Sequence, residues 1–334
     1  MASKETTLQQ TKGFFKLQGI VSGVKRNDFY TEKMTKSNNP KLRKAVKFAV
    51  QTSPDNKVFV TLGAQPMDKV YFSKKAENKG EKATTKAVDW DKRKSFKEDG
   101  FKIIGVNIGL VKKLDKDGKE VNDTQHFVAY DAIDYIKTHL KDDMHVFVRG
   151  HVEYSRFEDR NIKQYVIDQI SLCQPIDFTA ADFKETANWE QPIAFRSIEK
   201  DDAEADKFIL TGSIINYNNI VETDFIIRNP KIAQTFKKNL MPYHRVKIFG
   251  NLIGSVQEVV VDEDDGWGEP NPMEATSGYF KEMLVTGADK STIDTEIYSE
   301  KIFDEFLRSK KEFGETGGTS AASSDDDDDD DWSV

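Results

Sequence analysis

The side chains in this 334-residue chain that could do chemistry are mainly cations and aromatic rings set close together. Lys25-Arg26-Asn27-Asp28-Phe29-Tyr30 places two cations two residues before two rings, and Lys41, Arg43, Lys44 and Lys47 follow within one short stretch. Val58, Val60 and Leu62 share one face of an alternating segment, which turns Phe59 the other way. The same alternation in Val146, Val148 and Val152 turns Phe147, Arg149 and His151 outward, and Arg156, Phe157, Arg160 and Tyr165 surround the turn that follows. Cations neutralise phosphates and ring faces stack on unpaired bases, each stacked base contributing about 1–3 kcal/mol. Each ring taken singly is better explained as core or as a cross-strand partner, and Phe48 and Tyr154 are read as core. The ensemble of outward rings beside Lys or Arg points to a nucleic-acid surface.

Catalytic constellations are missing from the sequence. It has no Gly-rich phosphate loop ending in Lys-Ser/Thr, no His-Glu-x-x-His and no Gly-x-Ser-x-Gly. The five histidines are scattered, with His145 and His151 six residues apart on one strand face and His126, His139 and His244 lacking neighbouring ligands. The one cysteine, Cys173, excludes an internal disulfide and a multi-cysteine zinc site. Asp262-Glu263-Asp264-Asp265-Gly266 has Trp267 where a calcium loop needs its glycine. A binding protein with no cofactor and no metal is expected, not an enzyme.

The elements that position these residues are mostly strands. Phe14–Val24, Lys44–Thr52, Val58–Ala64, Phe101–Val111, His145–Ser155 and Lys163–Leu172 alternate with period two and are rich in aromatic and β-branched residues. Ser53-Pro54-Asp55-Asn56 and Glu158-Asp159-Arg160-Asn161 read as turns. One helix interrupts the series, capped by Asp131, burying Ile133, Ile136 and Leu140, and ended by Asp142-Asp143. Three strands, a helix and a two-stranded hairpin are the order of the OB-fold, a five-stranded Greek-key barrel.

The order repeats along the chain. Phe15-Lys-Leu17-Gln-Gly19 is echoed by Phe208-Ile-Leu210-Thr-Gly212, and the run from Ile136 to Ser155 is echoed from Phe236 to Ser255 at a spacing of 100. The first echo is 193 residues apart, so the first unit carries about 93 extra residues, among them Lys74 to Lys97 with Trp90 inside. The fold class expected is therefore all-β with few helices: two tandem OB-fold-like five-stranded barrels. Their bounds read as a flexible start at 1–12, a first OB-fold domain with the basic insertions at 13–178, a linker at 179–205 and a second domain at 206–313. That second domain ends in a helix capped by Ser299, with Ile302, Phe303, Phe306 and Leu307 as its apolar stripe. Residues 314–334 read as a disordered acidic tail, small and polar up to Ser324, then Asp325-Asp326-Asp327-Asp328-Asp329-Asp330-Asp331-Trp332.

Charge divides sharply between the ends. Residues 1–113 hold 25 Lys/Arg against 11 Asp/Glu, a net +14, leaving 24 against 46, a net −22, for the remainder. A basic block opposed to an acidic tail suits a polyanion-binding surface with a regulatory segment. No apolar run approaches the roughly 20 residues that span a bilayer, and the start is polar, so a cytoplasmic protein without membrane contact is expected.

Seven aspartates, an aromatic residue and a short apolar ending resemble the C-terminal tails of bacterial and bacteriophage single-stranded DNA-binding proteins, although bacterial tails end in Ile-Pro-Phe. Gly150-His151-Val152-Glu153-Tyr154-Ser155-Arg156-Phe157-Glu158-Asp159 with Gln164-Tyr165-Val166-Ile167 is similar to the hairpin of strands four and five in that family. The resemblance implies a protein that coats and protects single-stranded DNA in phage-type replication, recombination or repair, in the host cytoplasm if phage-encoded. It implies further that Asp325–Asp331 and Trp332 recruit replication or recombination proteins. The second domain could pack against the first, mediate self-association into a homo-oligomer or extend the groove. The rival readings are an RNA- or tRNA-binding OB-fold protein and a protein-binding scaffold or virion protein.

Overall fold

The computed structural model describes residues 8–76, 78, 82–157, 160–257 and 278–316. The aspartate tail with Trp332, and the acidic stretch from Asp262, lie outside them.

Period-two alternation builds the first barrel. In β1 (Gly13–Ser22) Phe15, Leu17 and Val21 turn inward while Phe14 and Lys16 face out. β2 (Tyr30–Met34) pairs with β3 (Leu42–Ser53), which turns through Pro54-Asp55 into β4 (Asn56–Ala64). The basic insertion folds into two small sheets. β5 (Lys69–Lys74) is flanked by β6 (Thr84–Asp89) and β7 (Phe101–Ile103), and β9 (Lys112–Leu114) pairs with β10 (Glu120–Asn122). Between them β8 (Val106–Gly109) joins the main sheet, with β11 (Gln125–Phe127) on its edge. The single strand expected over Phe101–Val111 is thus two strands in different sheets.

Helix α1 (Ala129–His139) buries Ile133 and Ile136 as the spacing predicts. Asp131 does not cap it: the cap is Val128, without a side-chain bond, and Asp131 in the first turn takes both guanidinium bonds of Arg93, at 2.8 and 2.9 Å. β12 (His145–Phe157) and β13 (Arg160–Leu172) form the long hairpin that completes the ring β1–β3–β4–β13–β12–β1.

The second ring repeats this order with β14 (Thr186–Lys200), β15 (Phe208–Ile215), β16 (Ile220–Ile227), α2 (Pro230–Asn239), β17 (Arg245–Gln257) and β18 (Gly278–Asp294), followed by α3 (Glu300–Thr316). Each ring closes across one parallel residue pair, Thr61 with Val166 and Ile226 with Leu284, which makes it a partly open OB-type barrel. The fold is all-β with few helices, as the sequence pattern implies. β12 and β17 begin 100 residues apart, matching the second sequence echo.

Three expected bounds are corrected. The linker at 179–205 contains β14, the true first strand of the second ring; Phe208 opens strand two. Pro192 inside β14 and the bulge between Phe195 and Ser197 break the alternation that would have disclosed it. First strands therefore start 173 residues apart, at Gly13 and Thr186, and the surplus in the first unit is 73 residues, not 93. The expected flexible start is packed from residue 8 on: Thr11 is buried, its N–H donates to the Ile215 carbonyl and its hydroxyl accepts from the Ile215 N–H. In α3, Ser299 caps and Phe303 and Phe306 are buried as expected, whereas Leu307 is exposed.

The rings share a sheet and a core. β1 pairs with β14 antiparallel from Phe14–Glu190 to Gln18–Thr186, and one apolar cluster runs from Phe15 and Leu17 through Trp189 to Phe225 and Ile248. Hairpins interlock them further. Asn161 and Lys163 of β13 donate to the Glu222 and Asp224 carbonyls of β16. From the other side, Asn56 at the head of β4 donates to the Leu252 carbonyl at 2.8 Å and accepts from the Gly254 N–H at 2.7 Å. Among the described residues no helix is long and apolar enough to cross a membrane.

Candidate nucleic-acid interface

The outer surface of β3 and β4 is a cationic strand face of the first barrel. Odd-numbered residues of β3 lie on that side, Arg43, Ala45, Lys47 and the covered Ala49, beside Lys57, Phe59, Thr61 and Gly63 of β4. Ala45 lies opposite Gly63 and Ala49 opposite Phe59, so the floor between the long side chains is shallow. Lys33 of β2 stands opposite Arg43 and extends the row.

The loop after β1 leans over this trough. Gly23 at φ +90° turns the chain, the Val24 N–H donates to Asp142 at 2.8 Å, and Arg26 is brought back over β4. Its guanidinium holds Asp28 through two bonds of 2.9 Å and sits 5.8 Å from the Phe59 centroid, while the Lys47 ammonium lies 5.5 Å from the same centroid. Phe59 is thus a half-buried outward ring flanked by two cations, and Lys25, next to Arg26 in the same loop, is exposed.

Several residues expected in the same groove are elsewhere. Phe29 is buried, packing edge-on against Phe48 at 6.5 Å, because the Lys47 N–H donates to its carbonyl and folds the loop inward. Tyr165 is also core, edge-on to Phe15 at 5.4 Å. Tyr30 and Lys44 have the opposite parity to Arg43 and Lys47, so they face α1. The Tyr30 ring lies under the Lys137 ammonium and its hydroxyl donates to Glu32; Lys44 donates to both Asp134 oxygens, at 2.8 and 2.9 Å. Lys41 shares the outer parity but is tied to Asp68 at 3.4 Å.

Phe147 and Arg149 do face outward, on β12. Their neighbours there are Gln18 and Lys16 of β1 and Ser171 and Gln169 of β13, so they do not join Phe59. Next to them His151 bridges Asp168 at 2.9 Å and Glu153 at 3.1 Å; burial opposes its charge, but the two carboxylates outweigh burial and hold it at about 9. The side chains of Arg156, Phe157 and Arg160 lie outside the described residues, as do Asp325–Asp331 and Trp332. Lys33 and Lys57 escaped the sequence reading of the site; the signal that could have found them is their parity with Arg43 and Phe59.

The corresponding face of the second barrel has the opposite character. Glu222 and Asp224 point outward from β16, held by Arg196 at 3.1 Å and by the Thr211 hydroxyl at 2.8 Å, and the β13 hairpin lies against them. Lys163, half-buried in that junction, is pushed down to about 8 by desolvation, with Asp224 opposing the shift. Among the described residues no three His, Cys, Asp or Glu side chains are grouped as a metal would require.

Fold and surface together define an all-β protein of paired OB-type barrels with one cationic trough. The YorF family model matches residues 75–320, and the chain belongs to the YorF family. The trough of β3 and β4 precedes the matched region. No curated protein matches the chain. Among solved structures it is similar to the wild-type single-stranded DNA-binding protein from Thermus aquaticus, at 8% identity and a TM-score of 0.35, with 88% of this chain and 98% of that chain covered. A deletion mutant of that Thermus aquaticus protein gives 8% identity and a TM-score of 0.37, with 87% of this chain and 98% of that chain covered.

Proposed function

We propose that this protein binds single-stranded nucleic acid, with single-stranded DNA as the ligand, through the outer face of β3 and β4, and that it works by binding and not by catalysis. The observation that carries the reading is Phe59, an outward ring bracketed by Arg26 and Lys47 on a face whose counterpart in the second barrel bears Glu222 and Asp224. Cations follow the phosphates, the ring stacks on a base, and the small residues between them admit a strand without selecting its sequence. Within this reading the protein coats and protects DNA strands opened in replication, recombination or repair. The acidic tail, with Trp332 directly after its seven aspartates, recruits proteins that bear an apolar pocket with a basic rim.

Fluorescence anisotropy with labelled oligo-dT, the RNA equivalent and a duplex tests it. The oligo-dT should bind most tightly, with an affinity that falls steeply as salt rises. Equal binding of duplex, or a flat salt profile, would overturn the reading, and preference for RNA would reassign the ligand.

A further inference from the structure

The seam between the barrels carries a second charged surface that the trough does not use. β12, β1 and β14 lie side by side, and their outward residues stand in register: Arg149 opposite Lys16, Lys16 opposite Asn188, His151 opposite Phe14, and Phe147 opposite Gln18. Lys16 and Arg149 are exposed, and neither has an ion-pair partner among the described residues. The carboxylates of this face are already engaged, Glu190 by Lys247 at 3.5 Å, and Glu153 and Asp168 by His151. Like charges directly opposite each other on neighbouring strands destabilise a sheet, so this dyad weakens the free protein. Phe14, 42% exposed, and the partly exposed Phe147 occupy the diagonal positions on either side, roughly 7–8 Å away by sheet geometry.

We propose that Lys16, Arg149, Phe14 and Phe147 form a second contact surface for the same polynucleotide strand, an inference that rests on the function proposed above. β1 supplies the path between the two surfaces. Ser22 of β1 pairs with Ala49 on the trough, and six residues earlier the same strand presents Lys16 to Arg149, a rise of about 20 Å. Phosphates would supply the charge the dyad lacks, and the two rings flank it as stacking platforms. A second copy of this chain laid on the face would instead bury two uncompensated cations, which desolvation disfavours.

The test compares oligo-dT of about 8 and about 35 nucleotides, within and beyond what one OB-fold typically covers, on the full-length protein. Lys16→Gln/Arg149→Gln should bind the short oligonucleotide within twofold of the parent. It should bind the long one at least about tenfold more weakly at low salt, with a salt slope shallower by roughly 1.4 for two lost phosphate contacts. Phe14→Ala should weaken the long oligonucleotide alone, by about fivefold or more. Because the double variant removes a repulsion, its melting temperature should not fall, so weaker binding could not be ascribed to misfolding. Parent-like binding of the long oligonucleotide by the double variant overturns the inference. So does a change in sedimentation without a change in DNA affinity, which would assign the face to self-association. Phe59→Ala separates the two readings. It should weaken both lengths, and if the parent binds neither length, the proposed function itself fails.

Discussion

Under the proposed function, Phe59 and Lys47 are the residues on which strand binding would turn. Removing the ring in Phe59→Ala should cost about 1–3 kcal/mol of oligo-dT affinity, and Lys47→Gln should flatten the salt dependence by roughly 0.7, both readable by anisotropy. A Phe59→Ala protein that binds like its parent would return the ring to a purely structural role. Strand parity made Phe59 legible, since Val58, Val60 and Leu62 mark the inner face. Parity does not reach into loops, which is why Phe29 read as a platform; its place in the core depends on the backbone bond from Lys47. Tyr165 misled for a different reason, since the consecutive apolar residues Tyr165-Val166-Ile167 interrupt the polar positions of that alternating strand and leave its inner face unmarked. His151 carries a prediction in pH. Its folded value of about 9 lies above the ordinary imidazole range, so its stabilisation is complete below about pH 6.5 and is lost as pH rises through 9. His151→Gln should remove on the order of 2 kcal/mol of unfolding free energy at pH 6 and almost none at pH 10. Lys163, depressed to about 8, acts in the opposite sense above that pH, so the difference between parent and variant isolates the histidine.

At the scale of elements, the hairpins hold the barrels in place. The Asn56 side chain is nearly buried and makes three bonds, to Glu185 at 2.7 Å, to the Leu252 carbonyl and from the Gly254 N–H. Asn56→Ala would strand a donor and an acceptor in the junction, and chemical denaturation should show a loss of about 2–4 kcal/mol; a loss below about 0.5 kcal/mol would mean that the hairpins are not fixed there. The sequence echo at a spacing of 100 located α2 and β17 because a helix stripe followed by an alternating strand is a strong periodic signal. The first strand of the second barrel stayed hidden because β14 changes partners along its length, from β1 and β17 to β15, and accommodates Pro192 and a bulge as it does so. The small sheet of β5, β6 and β7 was unforeseen for a related reason: its apolar contacts, Phe72 with Phe96 and Phe96 with Phe101, come from loops and short strands.

Across the whole molecule, one core and one shared sheet predict one transition. Phe225, fully buried in the second barrel, stacks on Trp189, whose strand pairs directly with β1. Phe225→Ala should lower stability by about 3–5 kcal/mol and shift the melting of both barrels together in calorimetry; two separated peaks would show that the barrels unfold independently. The opposed charges of the two ends, and the placing of the basic insertions in the first barrel, were visible in the sequence, but which faces of the barrels carry them was not. That depends on which residues face out, Lys57 and Phe59 in one barrel and Glu222 and Asp224 in the other.

The pairing of β1 with β14 also constrains how the protein can be divided. A fragment ending at residue 178 would keep every strand of the first barrel yet bare the hydrogen-bonding edge of Phe14–Gln18. Such an open edge recruits any strand that fits it, most readily the same edge of another fragment. The isolated half should therefore be sticky, pairing with itself or precipitating, and supplying residues 179–316 as a separate chain should restore a soluble one-to-one complex.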